Sequence, residues 1–157
     1  MTASIRLKPL CVSVAIPLLG GMASAFLARD MEQAYESMLR PSFAPPPWVF
    51  AVVWPILYLG LGIACYMIWE LEDSATRTQA LTDYAGQLIL NFLWPLLFFR
   101  FGLYEIAFWE ICALLVVTLL TTGLFAYLKK KTLFLMLPYV LWLVYACALN
   151  KAIAMLN

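Results

Sequence analysis

Five stretches of the chain are apolar almost without interruption, and polar residues gather in the segments between them. The runs cover about 10–28, 48–69, 81–99, 106–128 and 133–156. Each is close to the ~20 residues that carry a helix across a ~30 Å hydrocarbon layer. None shows the ~10-residue alternation of a membrane barrel strand. The pattern therefore predicts an all-α membrane protein, a bundle of five transmembrane helices forming a single domain over 1–157. Trp48 and Trp69 bracket the second run 21 residues apart. At ~1.5 Å per residue that is roughly 31 Å, the separation of two interfacial aromatic belts. Pro17, Pro55, Pro95 and Pro138 fall inside runs. They predict kinks whose freed carbonyls must be re-satisfied by neighbours.

The connections differ. The segment 29–47 is the longest and reads as a loop, mixing Arg29, Asp30, Glu32, Glu36 and Arg40 with Tyr35 and Phe43. It closes on Pro45-Pro46-Pro47, a stiff extended stretch that starts the second helix abruptly. The remaining connections, 70–80, 100–105 and 129–132, are short. The first run also has the outline of a secretory signal, with Arg6 and Lys8 ahead of it and Ala23-Ser24-Ala25 as a small-residue site. Against cleavage, the apolar stretch continues through Phe26, Leu27 and Ala28.

Composition agrees with the pattern: 65% of residues are hydrophobic and 12% charged, with a mean hydropathy of +0.89. A soluble domain carries roughly a quarter charged residues. For an odd number of spans, Arg6, Lys8, Arg77, Lys129, Lys130 and Lys131 share one side, and Arg29, Arg40, Arg100 and Lys151 the other. The excess places the N-terminus in the cytoplasm of a bacterial cell. With a net charge of +1 and no basic stripe, nucleic acid is not an expected partner.

The candidate chemistry is sparse. The sequence has no histidine, which removes the commonest metal ligand and general base. Cys11, Cys65, Cys112 and Cys147 lie in four different runs without a C-x-x-C spacing and read as structural residues. No phosphate-binding glycine loop, zinc pattern or nucleophile elbow occurs, so neither a catalytic set nor a metal site is expected. Glu110, near the start of the fourth run, reads as interfacial, with the bundle interior as the alternative.

Aromatic residues supply the remaining signal: six Trp, eight Tyr and ten Phe. Trp54 lies about 9 Å inside its run, and Trp94 and Trp142 are also deep. A buried indole N–H needs an acceptor. Gln87, Asn91 and Trp94 share one helical face, as do Tyr139, Trp142, Ala146 and Asn150, and as do Trp54 and Tyr58. Amides at this depth either join helices or serve as polar fixing points in an aromatic pocket. The spacing leaves both readings open.

Arg40-Pro41-Ser42-Phe43-Ala44-Pro45-Pro46-Pro47-Trp48-Val49, followed by Val53-Trp54 and Leu57-Tyr58, resembles the translocator protein family. This family is also known as TspO, the tryptophan-rich sensory proteins or the peripheral-type benzodiazepine receptors. Tyr84-Ala85-Gly86-Gln87-Leu88, Leu90-Asn91, Trp94-Pro95 and Phe98-Phe99 resemble its third helix. Pro138-Tyr139, Trp142 and Leu149-Asn150 resemble its fifth. The resemblance extends over essentially the whole chain. It implies a homodimeric five-helix bundle in the lipid bilayer that needs no cofactor and binds porphyrins, sterols and isoquinoline or benzodiazepine compounds under the first loop. By motif match Trp54, Asn91, Trp94 and Trp142 are the pocket residues, with Ala146 nearby and Trp48, Tyr58 and Gln87 as further members.

Two departures bear on the ligand. Phe43 stands where the family often has Trp, and Lys151 stands where vertebrate members carry the tyrosine of a cholesterol consensus. That consensus is weak even when complete, and its absence favours a tetrapyrrole over a sterol. The resemblance implies a receptor, sensor or transporter. Its alternative is a light-dependent porphyrin-degrading enzyme with Trp54 and Trp142 as radical sites.

Overall fold

The computed structural model describes residues 6–157; residues 1–5, which the single-domain reading includes, lie outside the described residues. The described residues form six α-helices and no strand. These are α1 (Leu7–Ala28), α2 (Met31–Ser37), α3 (Trp48–Trp69), α4 (Ala75–Pro95), α5 (Tyr104–Leu128) and α6 (Leu133–Leu156). A π-helical turn, Leu96–Arg100, follows α4, and a 3₁₀ turn, Lys130–Thr132, leads into α6. Four of these helices, α1, α3, α5 and α6, are long and apolar enough to cross a membrane. The fifth long helix, α4, has a polar first half containing Arg77, Gln79 and Asp83.

The expected loop 29–47 is not wholly irregular, because it contains α2. No Pro or Gly interrupts 31–38, and Tyr35 and Met38 bury themselves on one face of that stretch. Arg29 (φ 54°) and Asp30 (φ 33°) adopt left-handed backbone, which turns the chain sharply from α1 into α2.

α4 starts six residues before its apolar run because polar groups build its first turns. Ser74 Oγ accepts the Arg77 N–H at 3.1 Å, a side-chain N-cap. The Arg77 side chain then donates to the carbonyls of Ile68 (3.2 Å) and Trp69 (2.7 Å), satisfying the exposed end of α3. Pro17, Pro55 and Pro138 sit within continuous α-helix. Pro95 ends α4 instead, and the backbone widens to a five-residue repeat in which Phe101 N–H reaches Leu96 O at 3.0 Å.

The long helices close into a ring: α1 packs on α3, α3 on α6, α6 on α5, α5 on α4, and α4 back on α1. At Gly62 of α3 the helix meets the α1 backbone, and a Cβ there would stand 2.5 Å from Val14 Cα. A Cβ at Gly86 of α4, by contrast, would meet nothing within 4 Å. Large apolar side chains such as Phe26, Trp109 and Phe134 point outward, the arrangement lipid requires.

Candidate functional site

Inside the ring, several buried polar groups are joined by hydrogen bonds between helices. Asn91 of α4 accepts from the Tyr58 hydroxyl of α3 and donates through Nδ2 to the Tyr139 hydroxyl of α6 at 2.7 Å. Trp94 Nε1–H donates to Asn150 Oδ1 at 2.9 Å, and Asn150 Nδ2 donates to the Tyr104 carbonyl at 2.9 Å. Thr118 of α5 donates to Gln87 Oε1 at 3.2 Å. These bonds tie α3, α4, α5 and α6 together where apolar packing alone would leave rotation about each helix axis cheap.

Above the Asn91 network a cavity of about 630 Å³ opens between α1, α3, α4 and the segment carrying α2. Its walls include Trp48, Phe50, Trp54, Tyr58, Asn91, Trp94 and Phe99, with Leu18, Met22 and Ala25 contributed by α1. Arg29, Asp30 and Glu32 stand at its margin. A volume of ~300–1,000 Å³ with apolar walls and few polar groups is typical of small-molecule sites. A narrow void of about 10 Å³ adjoins it, walled by Trp142, Ala146 and Asn150 and sharing Tyr35, Phe50, Trp54, Trp94 and Phe99 with the larger space. The Trp54 and Trp142 rings meet edge to face with centroids 6.4 Å apart, and Phe50 meets Trp142 at 5.9 Å. The buried Trp142 Nε1–H has no acceptor among the described residues.

The segment over the cavity is anchored at several points. Tyr35 donates to the Pro45 carbonyl and Tyr145 to the Phe43 carbonyl, each at 3.0 Å. Asn157 exchanges two hydrogen bonds with the Leu39 backbone, at 3.0 and 2.9 Å. Arg40 lies 5.0 Å over the Tyr35 ring. Burial pushes the Tyr35 hydroxyl above its ordinary pKa, and the neighbouring Arg40 partly opposes that shift.

The residues named from sequence thus fall in three places. Trp54 and Trp94 border both spaces, Tyr58 and Asn91 form the floor of the larger one, and Trp48 stands exposed at its mouth. Trp142 and Ala146 line only the narrow void. Gln87 lies outside both linings, fully buried against Thr118 of α5. Glu110 does not sit at an exposed interface: α5 begins at Tyr104, so it lies well inside the helix, and its carboxylate oxygens are buried without a partner among the described residues.

Sequence reasoning missed Phe50, Tyr35 and the α1 wall. Phe50 stands four residues before Trp54 and eight before Tyr58, so extending that face by one turn would have found it. Tyr35 required recognising α2. Leu18, Met22 and Ala25 share a helical face, but nothing in their residue types separates them from packing side chains.

Residues 13–156 match the TspO/MBR family. The chain belongs to that family. Its relatives include the tryptophan-rich protein TspO of Archaeoglobus fulgidus, 36% identical over 154 residues and covering 96% of this chain and 97% of the relative. The translocator protein of Bos taurus is 35% identical over 146 residues, covering 86% and 82%. The tryptophan-rich sensory protein of Cereibacter sphaeroides is 31% identical over 126 residues, covering 80% and 78%. In this TspO/MBR member both departures are accommodated locally. The Phe43 ring packs against Tyr145 at 6.3 Å, and Lys151 pairs with Glu105 at 3.2 Å on the outer surface.

Proposed function

We propose that this TspO/MBR membrane protein is a five-span receptor or carrier that binds a flat apolar ligand, a porphyrin-type tetrapyrrole, in the cavity beneath α2. The supporting observation is the cavity itself: about 630 Å³, walled by indole and phenyl rings from α3 and α4. Stacking and apolar burial on such walls provide most of the affinity for a planar macrocycle. α4 is the fifth span, since Ile89 and Leu93 turn apolar side chains outward in its second half. The lysine and arginine bias puts the N-terminus in the cytoplasm, so the cavity mouth at Arg29 and Trp48 faces the opposite side. A homodimer is the expected assembly. Isoquinoline or benzodiazepine compounds are further candidates for the same space, and sterol is a poorer one because Lys151 stands at the tyrosine position of the cholesterol consensus. The names translocator and sensory protein carried by relatives accord with carriage or sensing.

The edge-to-face pair of Trp54 and Trp142, with an unpartnered indole N–H, favours a second reading. In that reading the rings exchange an electron with a photoexcited pigment, and the protein degrades it. Titration with protoporphyrin in the dark, followed by illumination, separates the two. Saturable tryptophan quenching without pigment loss supports the receptor. Light-dependent loss abolished by Trp142→Phe supports degradation, and no quenching contradicts both.

A further inference from the structure

The cavity beneath α2 is not closed on all sides. On α1 its wall includes Met22 and Ala25, and on α3 Trp48, Ala51 and Pro55. Met22 and Trp48 are also 67% and 65% exposed, and Ala51 and Pro55 are exposed as well. Residues that wall a cavity and face outward at once mark where it opens, so the opening is a slot between α1 and α3. The slot ends where the two helices touch: a Cβ at Gly21 would collide with the Tyr58 ring, and Gly62 meets Val14. Pro55 lies about 10 Å along α3 from Trp48, and Met22 about 9 Å from the Ala28 end of α1. The slot therefore reaches hydrocarbon depth and opens on the bilayer. Its outer end stands beside Arg29, Asp30 and Glu32. None of these three charges is ion-paired among the described residues.

We propose that the slot is a phospholipid site: one acyl chain of a lipid from the surrounding leaflet lies in it, and a phosphatidylethanolamine headgroup is held at its outer end. The charge pattern selects that headgroup. Arg29 offers a fork of donors to the phosphate, and Asp30 and Glu32 offer acceptors to the ammonium. An anionic headgroup such as phosphatidylglycerol meets the same two carboxylates with no cation of its own to offset them. Phosphatidylcholine carries a cation, but its quaternary ammonium has no N–H to donate. The acyl chain exchanges one apolar surrounding for another, so hydrophobic transfer contributes little and the headgroup decides which lipid is held. This site rests on the slot and the three charges and stands apart from the tetrapyrrole reading, although the two occupants would share the space beside Trp54.

The test uses the full chain in phosphatidylcholine nanodiscs without any pigment. The probes are phosphatidylethanolamine and phosphatidylglycerol carrying the same diazirine-bearing acyl chain, photolysed at equal small fractions and mapped by residue. Phosphatidylethanolamine is expected to label Trp54 and Trp94, which face the cavity, more strongly than Leu19 and Ile56, which face the bilayer. Phosphatidylglycerol is expected to label the two tryptophans about threefold less, the effect of one exposed ion pair. Arg29→Gln lowers cavity labelling by both probes, and Asp30→Asn/Glu32→Gln brings the two probes level. All three side chains are exposed, so these changes leave the core intact. Labelling confined to Leu19, Ile56 and other outward residues overturns the lipid site. Equal labelling of the tryptophans by both probes in the parent protein overturns the headgroup assignment, and the proposal with it. Neither outcome bears on tetrapyrrole binding, which the pigment titration reads separately.

Discussion

Asn91 is the point where three helices depend on one side chain, and its removal gives a graded test of how the bundle is held. It is 2% exposed, accepts the Tyr58 hydroxyl and donates to the Tyr139 hydroxyl at 2.7 Å. Asn91→Ala deletes both bonds and strips both phenols of this partner. Interhelical hydrogen bonds in a bilayer average ~0.6 kcal/mol and reach ~1.7, so losing two costs about 1–3 kcal/mol. Tyr58→Phe and Tyr139→Phe each delete one bond and are expected to cost about half as much. The assay is reversible unfolding in mixed detergent and dodecyl sulfate micelles, followed by tryptophan fluorescence. A double-mutant cycle isolates each pair. The expected order is Asn91→Ala well below either tyrosine variant, with lipid-facing Ile89→Ala near the parent. If Asn91→Ala is no worse than a single tyrosine variant, or the cycle gives no coupling, the amide does not hold the helices together.

Gly62→Ala is expected to destabilise by about 1–3 kcal/mol, because its Cβ would meet Val14 Cα at 2.5 Å. Gly86→Ala, with nothing within 4 Å, is expected to be neutral or slightly stabilising in the same unfolding assay. Burial raises the Tyr35 pKa in the folded chain, so its contribution to docking the segment over the cavity is complete below the ordinary value of ~10 and is lost as pH rises through the raised value. Protection of 31–47 from hydrogen exchange, taken relative to the intrinsic rate at each pH, is therefore expected to hold to about pH 10 and fall above it, a fall that Tyr35→Phe abolishes. Asn157→Ala removes two hydrogen bonds to Leu39, and limited chymotrypsin digestion is expected to cut faster after Leu39 and Phe43.

Legibility of the sequence followed the physics of each element. α3 and α6 begin and end where the hydropathy places them, because an apolar run bounded by charge or proline leaves little choice. α4 was misjudged at its start because hydropathy cannot register the Ser74 cap or the Arg77 side chain closing the end of α3. α2 was missed for a related reason: it is seven residues long, too short to show a period, and is stabilised by what Tyr35 and Met38 meet. Depth along a run correctly singled out Trp54, Trp94 and Trp142 as buried or half-buried indoles near one another. It could not say that Trp142 opens on a narrow void while Trp54 and Trp94 border the main cavity, since that depends on helix rotation. Nor could it separate Gln87, which faces Thr118, from Asn91 one turn later on the same face. Pairings across helices, such as Trp94 with Asn150, need the three-dimensional register.

Occupation of the cavity beneath α2 is tested most directly by filling it. Ala51 lines that space on α3 and is exposed to it, so Ala51→Trp adds an indole where the ligand would lie without displacing the Asn91 network. Protoporphyrin is titrated in the dark into parent and variant in lipid nanodiscs, with dissociation constants taken from pigment absorbance. The parent is expected to bind saturably, and Ala51→Trp at least about tenfold more weakly, a loss of ~1.4 kcal/mol. Equal affinity in a folded Ala51→Trp protein would put the pigment elsewhere and contradict the proposed site.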